Sequence, residues 1–364
     1  MKKLFFGSVV IITLMVFISC EQKSNQLTLN GTGLSVDNDI YVYDMAENNT
    51  IDTIKVSKGE FAYTYVVVEP KILVLTDNQT FNKFVIAEKG NLILVSDTGS
   101  ITGSPLNNRL AAFSKMYRNT GSELEQKNQA IVNKAESENR DLTKQEYEEL
   151  QAINEKQTAL YSAAIKKFYD EDKNNILGVY ELMISRMFLT EDEFADWYGK
   201  GGEAVKNFAP FVKVMQAKAN KEATQTGKKY VDFEGINPKD TAQIIKLSDF
   251  VRKDKYVLLD FWASWCGPCL KAIPEIKILH SKYASKGLEV IGVVISDKLE
   301  NHLKAAEKAN ATWTQIFDSK GEIGEIYGIN AIPTLILLDK DGTILVRANE
   351  KEEIIAKIES LLGK

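Results

Sequence analysis

The chain has 364 residues, 44% of them hydrophobic, which is enough to bury more than one core. A formal net charge of −5, with no dense Lys/Arg block, excludes a nucleic-acid surface. Three cysteines are too few for a disulfide-stapled scaffold.

Met1-Lys2-Lys3 forms a short basic region, and Leu4 to Ile18 is an apolar stretch of signal-peptide length, short for a spanning helix. Phe17-Ile18-Ser19-Cys20 then places a small residue just before a cysteine. The pattern resembles a bacterial lipobox. It implies a lipoprotein signal peptide over residues 1–20, with Cys20 as the lipidation site; the alternative is an uncleaved anchor. Export of either kind places the remaining thiols in the cell envelope, on a periplasm-facing membrane, where an oxidised pair can persist.

Glu21 to Gln26 is a polar tether, and the first domain, 21–104, is predicted to be β-rich from Leu27 onward. Short apolar or alternating runs occur at Ile40–Tyr43, Ile51–Val56, Phe61–Val68, Lys71–Leu75, Phe81–Ala87 and Leu92–Val95. Asn48-Asn49, Lys58-Gly59, Glu69-Pro70, Asp77-Asn78 and Lys89-Gly90 punctuate them. That spacing predicts an antiparallel sandwich or barrel.

Residues 105–225 are predicted to be helical, being rich in Glu, Lys, Gln and Ala. Leu106, Leu110 and Phe113 follow helical spacing. Thr143 with Glu146, and Thr190 with Glu193, fit capping boxes that start two helices. Gly199 to Gly202 breaks the pattern before a last helix over Ala204–Lys221. The charged stretch Glu123–Glu149 fits a solvated helix face better than a coiled-coil-like partner surface.

The third domain, 228–364, holds the most informative motif, Trp265-Cys266-Gly267-Pro268-Cys269. It follows the apolar run Tyr256–Trp262, predicted as a buried strand, and precedes a predicted helix over Leu270–Ala284. Cysteines two residues apart at a strand-to-helix turn can close a small disulfide ring. The helix N-terminus offers free N–H groups and positive potential to the first of them. A zinc site would need two more ligands, and the chain has only His280 and His302, which are expected to be solvent-facing helix residues. No metal and no cofactor is therefore expected. Beyond the motif come a strand at Leu288–Ile295, a helix at Leu299–Ala309, a short strand near Ile316 and a helix at Ile323–Tyr327. A hairpin, Thr334–Asp339 with Thr343–Ala348, turns at Lys340-Asp341-Gly342, and a helix Glu350–Leu362 closes the domain. The order predicts a mixed sheet with helices on both faces.

From about Lys228 onward the chain resembles the thioredoxin superfamily. Leu259 to Cys269 is similar to the family's active-site strand and turn, and Ala331-Ile332-Pro333-Thr334 to its cis-proline loop. Pro274 in the active-site helix and an insert over about Asp297–Ile316 make the TlpA/ResA-like branch the nearest. Many members of that branch carry a Glu three residues after the second cysteine, where this chain has Ala272. The first domain in turn resembles a domain of unknown function found ahead of TlpA/ResA-like domains in Gram-negative lipoproteins. The likeness lies in Ile51-Asp52-Thr53 with Gly59-Glu60-Phe61, Phe84 to Gly90, and Thr102 to Asn107. The expected architecture is multidomain: an antiparallel β-sandwich-like domain, a helical region and a C-terminal α/β thioredoxin fold.

Cys266, preceding the helix, is expected to be exposed and to act as nucleophile, with Cys269 a turn further in as the resolving thiol. The resemblance implies a cis Pro333 facing the disulfide and a groove beside Ile332 where client backbone pairs. Trp265, Gly267 and Pro268 complete the expected client-facing surface, whereas Trp262 is assigned to the core. Asp260 matches the buried Asp of thioredoxin. In an apolar strand its pKa rises by desolvation, and it could exchange the proton of Cys269. A hydrogen-bonded structural Asp is the alternative, just as Lys271 is more simply a solvated lysine than a source of potential.

These residues predict a lipid-anchored, extracytoplasmic thiol–disulfide oxidoreductase acting on disulfide-bearing client proteins. The Gly-Pro dipeptide favours a reductant, nearer the roughly −270 mV end of the thioredoxin-like range than the roughly −120 mV end. A membrane thiol donor of the DsbD/CcdA type is the expected partner. An oxidant or isomerase using the same cysteines, and a redox-sensing binding protein, are the alternatives. A peroxidase is disfavoured, since no lone cysteine with a nearby Thr and Pro precedes the pair.

Overall fold

The computed structural model describes residues 25–36, 38–251 and 254–363. They form two compact units, the first ending at Phe188 and the second beginning at Leu189.

The first unit opens with seven strands: β1 (Gln26–Thr32), β2 (Ile40–Asp44), β3 (Asn49–Ile54), β4 (Phe61–Val66), β5 (Lys71–Thr76), β6 (Asn82–Ala87) and β7 (Gly90–Val95). They build two sheets, ordered β4-β1-β7 and β3-β2-β5-β6. One apolar cluster takes Leu27, Leu29, Phe61 and Leu92 from the first sheet and Ile40, Val42, Leu73 and Val85 from the second. Two sheets sharing one core make a sandwich. It departs from the expected antiparallel design in one pairing, because β1 runs parallel to β7. Strand β1 is central to its sheet although no separate strand was expected before Ile40.

Helices α1 (Pro105–Asn119), α2 (Ser122–Ser137), α3 (Lys144–Asp172) and α4 (Ile176–Ser185) complete this unit. The Thr143–Glu146 capping box starts α3, as expected. Arg109 of α1 ties to α3 through Asp172 at 2.7 Å and Glu171 at 2.6 Å, with its guanidinium 4.2 Å from the centre of the Phe168 ring. Helix α2 buries only Leu124 and Ala135, so the charged stretch it begins is a solvated face.

The second unit starts with α5 (Glu191–Lys200), α6 (Glu203–Lys206) and α7 (Ala209–Ala223). The sequence grouped these helices with the region 105–225, but that region is divided after Phe188. The reason is a set of long-range hydrogen bonds. Asn220 donates to the Glu325 carbonyl at 2.8 Å, the Thr224 hydroxyl to the Tyr327 carbonyl at 3.1 Å, and Arg347 to the Thr224 hydroxyl at 2.8 Å.

The remaining elements are β8 (Glu234–Asn237), β9 (Asp240–Lys246), β10 (Tyr256–Trp262), α8 (Gly267–Tyr283), β11 (Leu288–Val294), α9 (Leu299–Ala309), β12 (Thr314–Phe317), α10 (Glu322–Ile326), β13 (Thr334–Leu338), β14 (Ile344–Ala348) and α11 (Lys351–Leu362). Their seven strands form one sheet in the order β14-β13-β10-β11-β12-β8-β9. The β8–β9 hairpin at its edge was not expected, since β8 is only four residues long and β9 mixes polar residues with Ala242, Ile244 and Ile245 without a clean alternation. The β13–β14 turn needs Gly342, which has φ 83°; a Cβ there would lie 2.6 Å from the Tyr230 ring.

Side chains alternate along β10, so each face of the sheet has its own core. Leu258 and Trp262 pack with Ile273, Ile276 and Leu279 of α8 and with Ile354 and Ile358 of α11. Val257, Leu259 and Phe261 pack on the other face with Ile323 and Tyr327. Strand β10 lies between β11, parallel, and β13, antiparallel, which fixes its C-terminal end where the motif begins.

Candidate active site

At the end of β10 the chain turns through Ala263, Ser264 and Trp265, and the Cys266 N–H donates to the Ala263 carbonyl at 3.1 Å. Cys266 is the N-cap of α8, with Pro268 in the first turn, where its missing N–H costs nothing. Cys266 and Cys269 are joined in a disulfide, with their Cα atoms 5.3 Å apart. The Cys269 N–H points at the Cys266 Sγ at 3.2 Å. A thiolate at Cys266 therefore meets a backbone donor and the positive end of α8, both of which favour the anion.

One expectation is corrected. Cys266 is not exposed: it is 4% accessible, and Cys269 2%. A helix start is open to solvent only if nothing folds over it. Here the 331–334 loop does, bringing the Ile332 carbonyl to 3.7 Å from the Cys266 Sγ. The exposed groups around the disulfide are Trp265, 63% accessible, with Gly267 and Pro268. Ile332 and Pro333 are half-buried, and the peptide bond between them is cis. The structure thus gathers Cys266, Cys269, Trp265, Gly267, Pro268, Ile332 and Pro333 at one place. Cys20 lies outside the described residues.

Asn349 also belongs to this place, although the sequence did not single it out. Its amide donates to the Pro333 carbonyl and to the Thr334 hydroxyl, each at 2.9 Å. The Thr334 hydroxyl donates onward to the Ala331 carbonyl at 2.7 Å. An Asn just after a strand carries no motif; only the contact reveals it.

Asp260 is 2% accessible, paired across the ladders with Gly292 and Leu335. Strand alternation puts it on the α8 face, between Leu258 and Trp262, where the core includes Cys269, Ala272 and Ile273. Burial pushes its carboxyl up to about 7. Ala272 is buried in the same cluster, leaving Asp260 the acid on this face of β10.

The histidines differ from expectation. His280 is half-buried, its ring 6.0 Å from that of Trp313. His302 is fully buried, set edge-on to Trp262 at 5.1 Å, with Phe317 at 6.1 Å. His302 was expected to face solvent, but it lies at helical spacing from Leu299 and Ala306, on the face of α9 that packs inward. Desolvation lowers its pKa to about 4, opposed by the charge of Asp297. The ring is thus neutral at physiological pH and fills core volume. Trp262 is core as assigned, with its indole N–H donating to Gln315 at 3.1 Å. Among the described residues no group of three or more His, Cys, Asp or Glu is placed to hold a metal ion.

A cysteine pair at a helix start, ringed by exposed Trp265, Gly267 and Pro268, can exchange with a client, as a dithiol with a client disulfide or as a disulfide with client thiols. Comparison with known proteins agrees. Residues 226–347 match the model of the AhpC/TSA family, and residues 26–110 that of a domain of unknown function, DUF4369. The chain is similar to the thiol-disulfide oxidoreductase ResA of Bacillus thuringiensis subsp. konkukian, 36% identical over 121 residues, which cover 33% of this chain and 68% of that protein. It is similar to ResA of Geobacillus thermodenitrificans, 31% identical over 119 residues, covering 32% and 67%. Among solved structures, a putative thiol:disulfide interchange protein DsbE from Chlorobium tepidum matches at 33% identity and TM-score 0.35, covering 38% of this chain and 99% of that one.

Proposed function

The chain belongs to the ResA-like thiol-disulfide oxidoreductases of the thioredoxin superfamily, and we propose that it works in the cell envelope as a lipid-anchored reductant of protein disulfides. The observation that carries the chemistry is the Cys266–Cys269 disulfide at the start of α8, with the Cys269 N–H aimed at the Cys266 Sγ. In the reduced enzyme the Cys266 thiolate attacks one sulfur of a client disulfide. The client S–S bond breaks, a Cys266–client bond forms, and the first client thiolate leaves and takes up a proton. Cys269 then gives its proton to the Asp260 carboxylate and attacks the Cys266 Sγ. The second client sulfur departs as a thiolate and takes up a proton, and the Cys266–Cys269 disulfide is restored. Two electrons have passed to the client, and a membrane thiol donor of the DsbD/CcdA type returns them.

Asp260 suits the proton step because a carboxyl held at about 7 exchanges protons readily near neutral pH. The Gly267-Pro268 interior supports the reducing direction. The lipobox-like Phe17–Cys20 supports the anchor and, with it, the compartment. Two measurements test the proposal together: the reduction potential of the pair, and capture of clients by Cys269→Ser. A potential near about −270 mV with trapped envelope proteins supports a reductant. A potential near about −120 mV assigns the same cysteines to oxidation.

A further inference from the structure

The turn that presents Cys266 is tied at its base to the loop after β11. Beyond Ile295 the backbone passes through Ser296 at φ 52°, a left-handed conformation that residues other than glycine seldom adopt. That conformation brings two acceptors to the redox turn. The Ser296 carbonyl accepts the Trp265 indole N–H at 2.9 Å. The Asp297 carboxylate accepts the Ser264 backbone N–H at 2.6 Å and the Ser264 hydroxyl at 2.8 Å. It also accepts the Lys298 N–H at 2.7 Å, at the threshold of α9. Ser264 and Trp265 are the two residues directly before Cys266.

We propose that Asp297 is a positioning residue for the reduced enzyme, holding the turn at Ser264 so that the Cys266 sulfur stays aligned with the Cys269 N–H. The proposal rests on the thiol–disulfide reading of the site. In the oxidised protein the covalent S–S bond fixes Cys266 against α8. Reduction removes that tie, and the sulfur then keeps its place only through the backbone of the turn. Hydrogen bonds to a carboxylate are roughly twice as strong as neutral ones, and two on one residue fix orientation as well as distance. Asp297 is thus the strongest non-covalent hold on the turn, and it acts when the thiolate must be presented. Its negative charge alone would have the opposite effect, disfavouring a nearby thiolate.

The test uses the full chain, with the pH profile of Cys266 alkylation in the reduced state as readout. Asp297→Ala is expected to raise the apparent Cys266 pKa and slow alkylation at pH 7 about tenfold, less than the roughly 10²-fold that a 1 Å misplacement costs. Asp297→Asn, which keeps an acceptor oxygen, should recover most of the rate. In a Ser264→Ala background the further loss from Asp297→Ala should shrink, because the two act as one unit. A profile unchanged in Asp297→Ala, or a Cys266 pKa that falls, overturns the proposal. So does an equal loss in the Ser264→Ala background. If Asp297→Ala does not fold, Ser264→Ala, which removes the hydroxyl bond to Asp297, carries the test: a profile matching wild type overturns the proposal. Failure of the thiol–disulfide reading is distinct, because wild-type protein would then leave insulin disulfides intact.

Discussion

Asp260→Asn preserves the side chain's size and removes its charge, so it isolates what burial does to this carboxyl. Its pKa is raised from the ordinary 3.8 to about 7, the cause being burial. Below about pH 4 the native and unfolded chains both hold the proton, and the group adds no pH-dependent penalty. As pH rises from about 4 to 7 the unfolded chain releases the proton while the native one keeps it, and the fold loses about 1.4 kcal/mol per pH unit. Above about 7 both states are ionised, and the penalty levels off at roughly 4 kcal/mol. Asparagine carries no such penalty. The variant should therefore gain stability over wild type as pH rises, by up to roughly 4 kcal/mol at pH 8, or about 2 M in urea midpoint for a slope of about 2 kcal/mol/M. Urea melts of the oxidised chain at pH 4.5, 6 and 8 would measure this. Tryptophan emission is a suitable probe, because Trp197, Trp262, Trp265 and Trp313 all lie in the second unit. A difference between variant and wild type that does not change with pH would refute the reasoning. The same variant should resolve the mixed disulfide about tenfold more slowly near neutral pH, below the roughly 10²–10⁴-fold of a general base because water partly replaces it.

Cys266 should titrate below the free-thiol value of about 8.5 and alkylate before Cys269; the reverse order would exchange their roles. Asn349→Ala should remove about 1 kcal/mol of stability and raise KM for disulfide clients more than it lowers kcat, since it frees the 331–334 loop; an unchanged KM would show the loop is held by other contacts. Thr190→Ala breaks the capping box of α5 and should cost the second unit about 1 kcal/mol, visible in the same tryptophan melt. Cys20→Ala should abolish fatty-acid labelling and release the protein from the membrane fraction; unlabelled wild type would sink the anchor.

What was legible in the sequence was chemistry confined to neighbours along the chain. The Cys266-Gly267-Pro268-Cys269 motif caps and opens a helix just after an apolar strand, as its flanking runs required, although α8 starts at Gly267 and not at the expected Leu270. The Asp341-Gly342 turn closes its hairpin, and Thr143 and Thr190 cap α3 and α5, because turns and caps depend on a few adjacent residues. Asp260 in an apolar strand announced its own burial. Tertiary structure decided whatever depends on residues far apart in sequence. It made β1 a central strand, although its Leu27-Thr28-Leu29 pattern is short. It assigned α5 to α7 to the second unit through Asn220, Thr224 and Arg347. It covered Cys266 with the Ile332 loop and turned His302 inward against Trp262. It recruited Asp297 and Asn349, which belong to no motif, to hold the two sides of the site. Periodicity and turn chemistry act over a few residues, so a sequence displays them directly. Burial and hydrogen-bond partnership are fixed only when distant segments pack together, and no local pattern records which segments those will be.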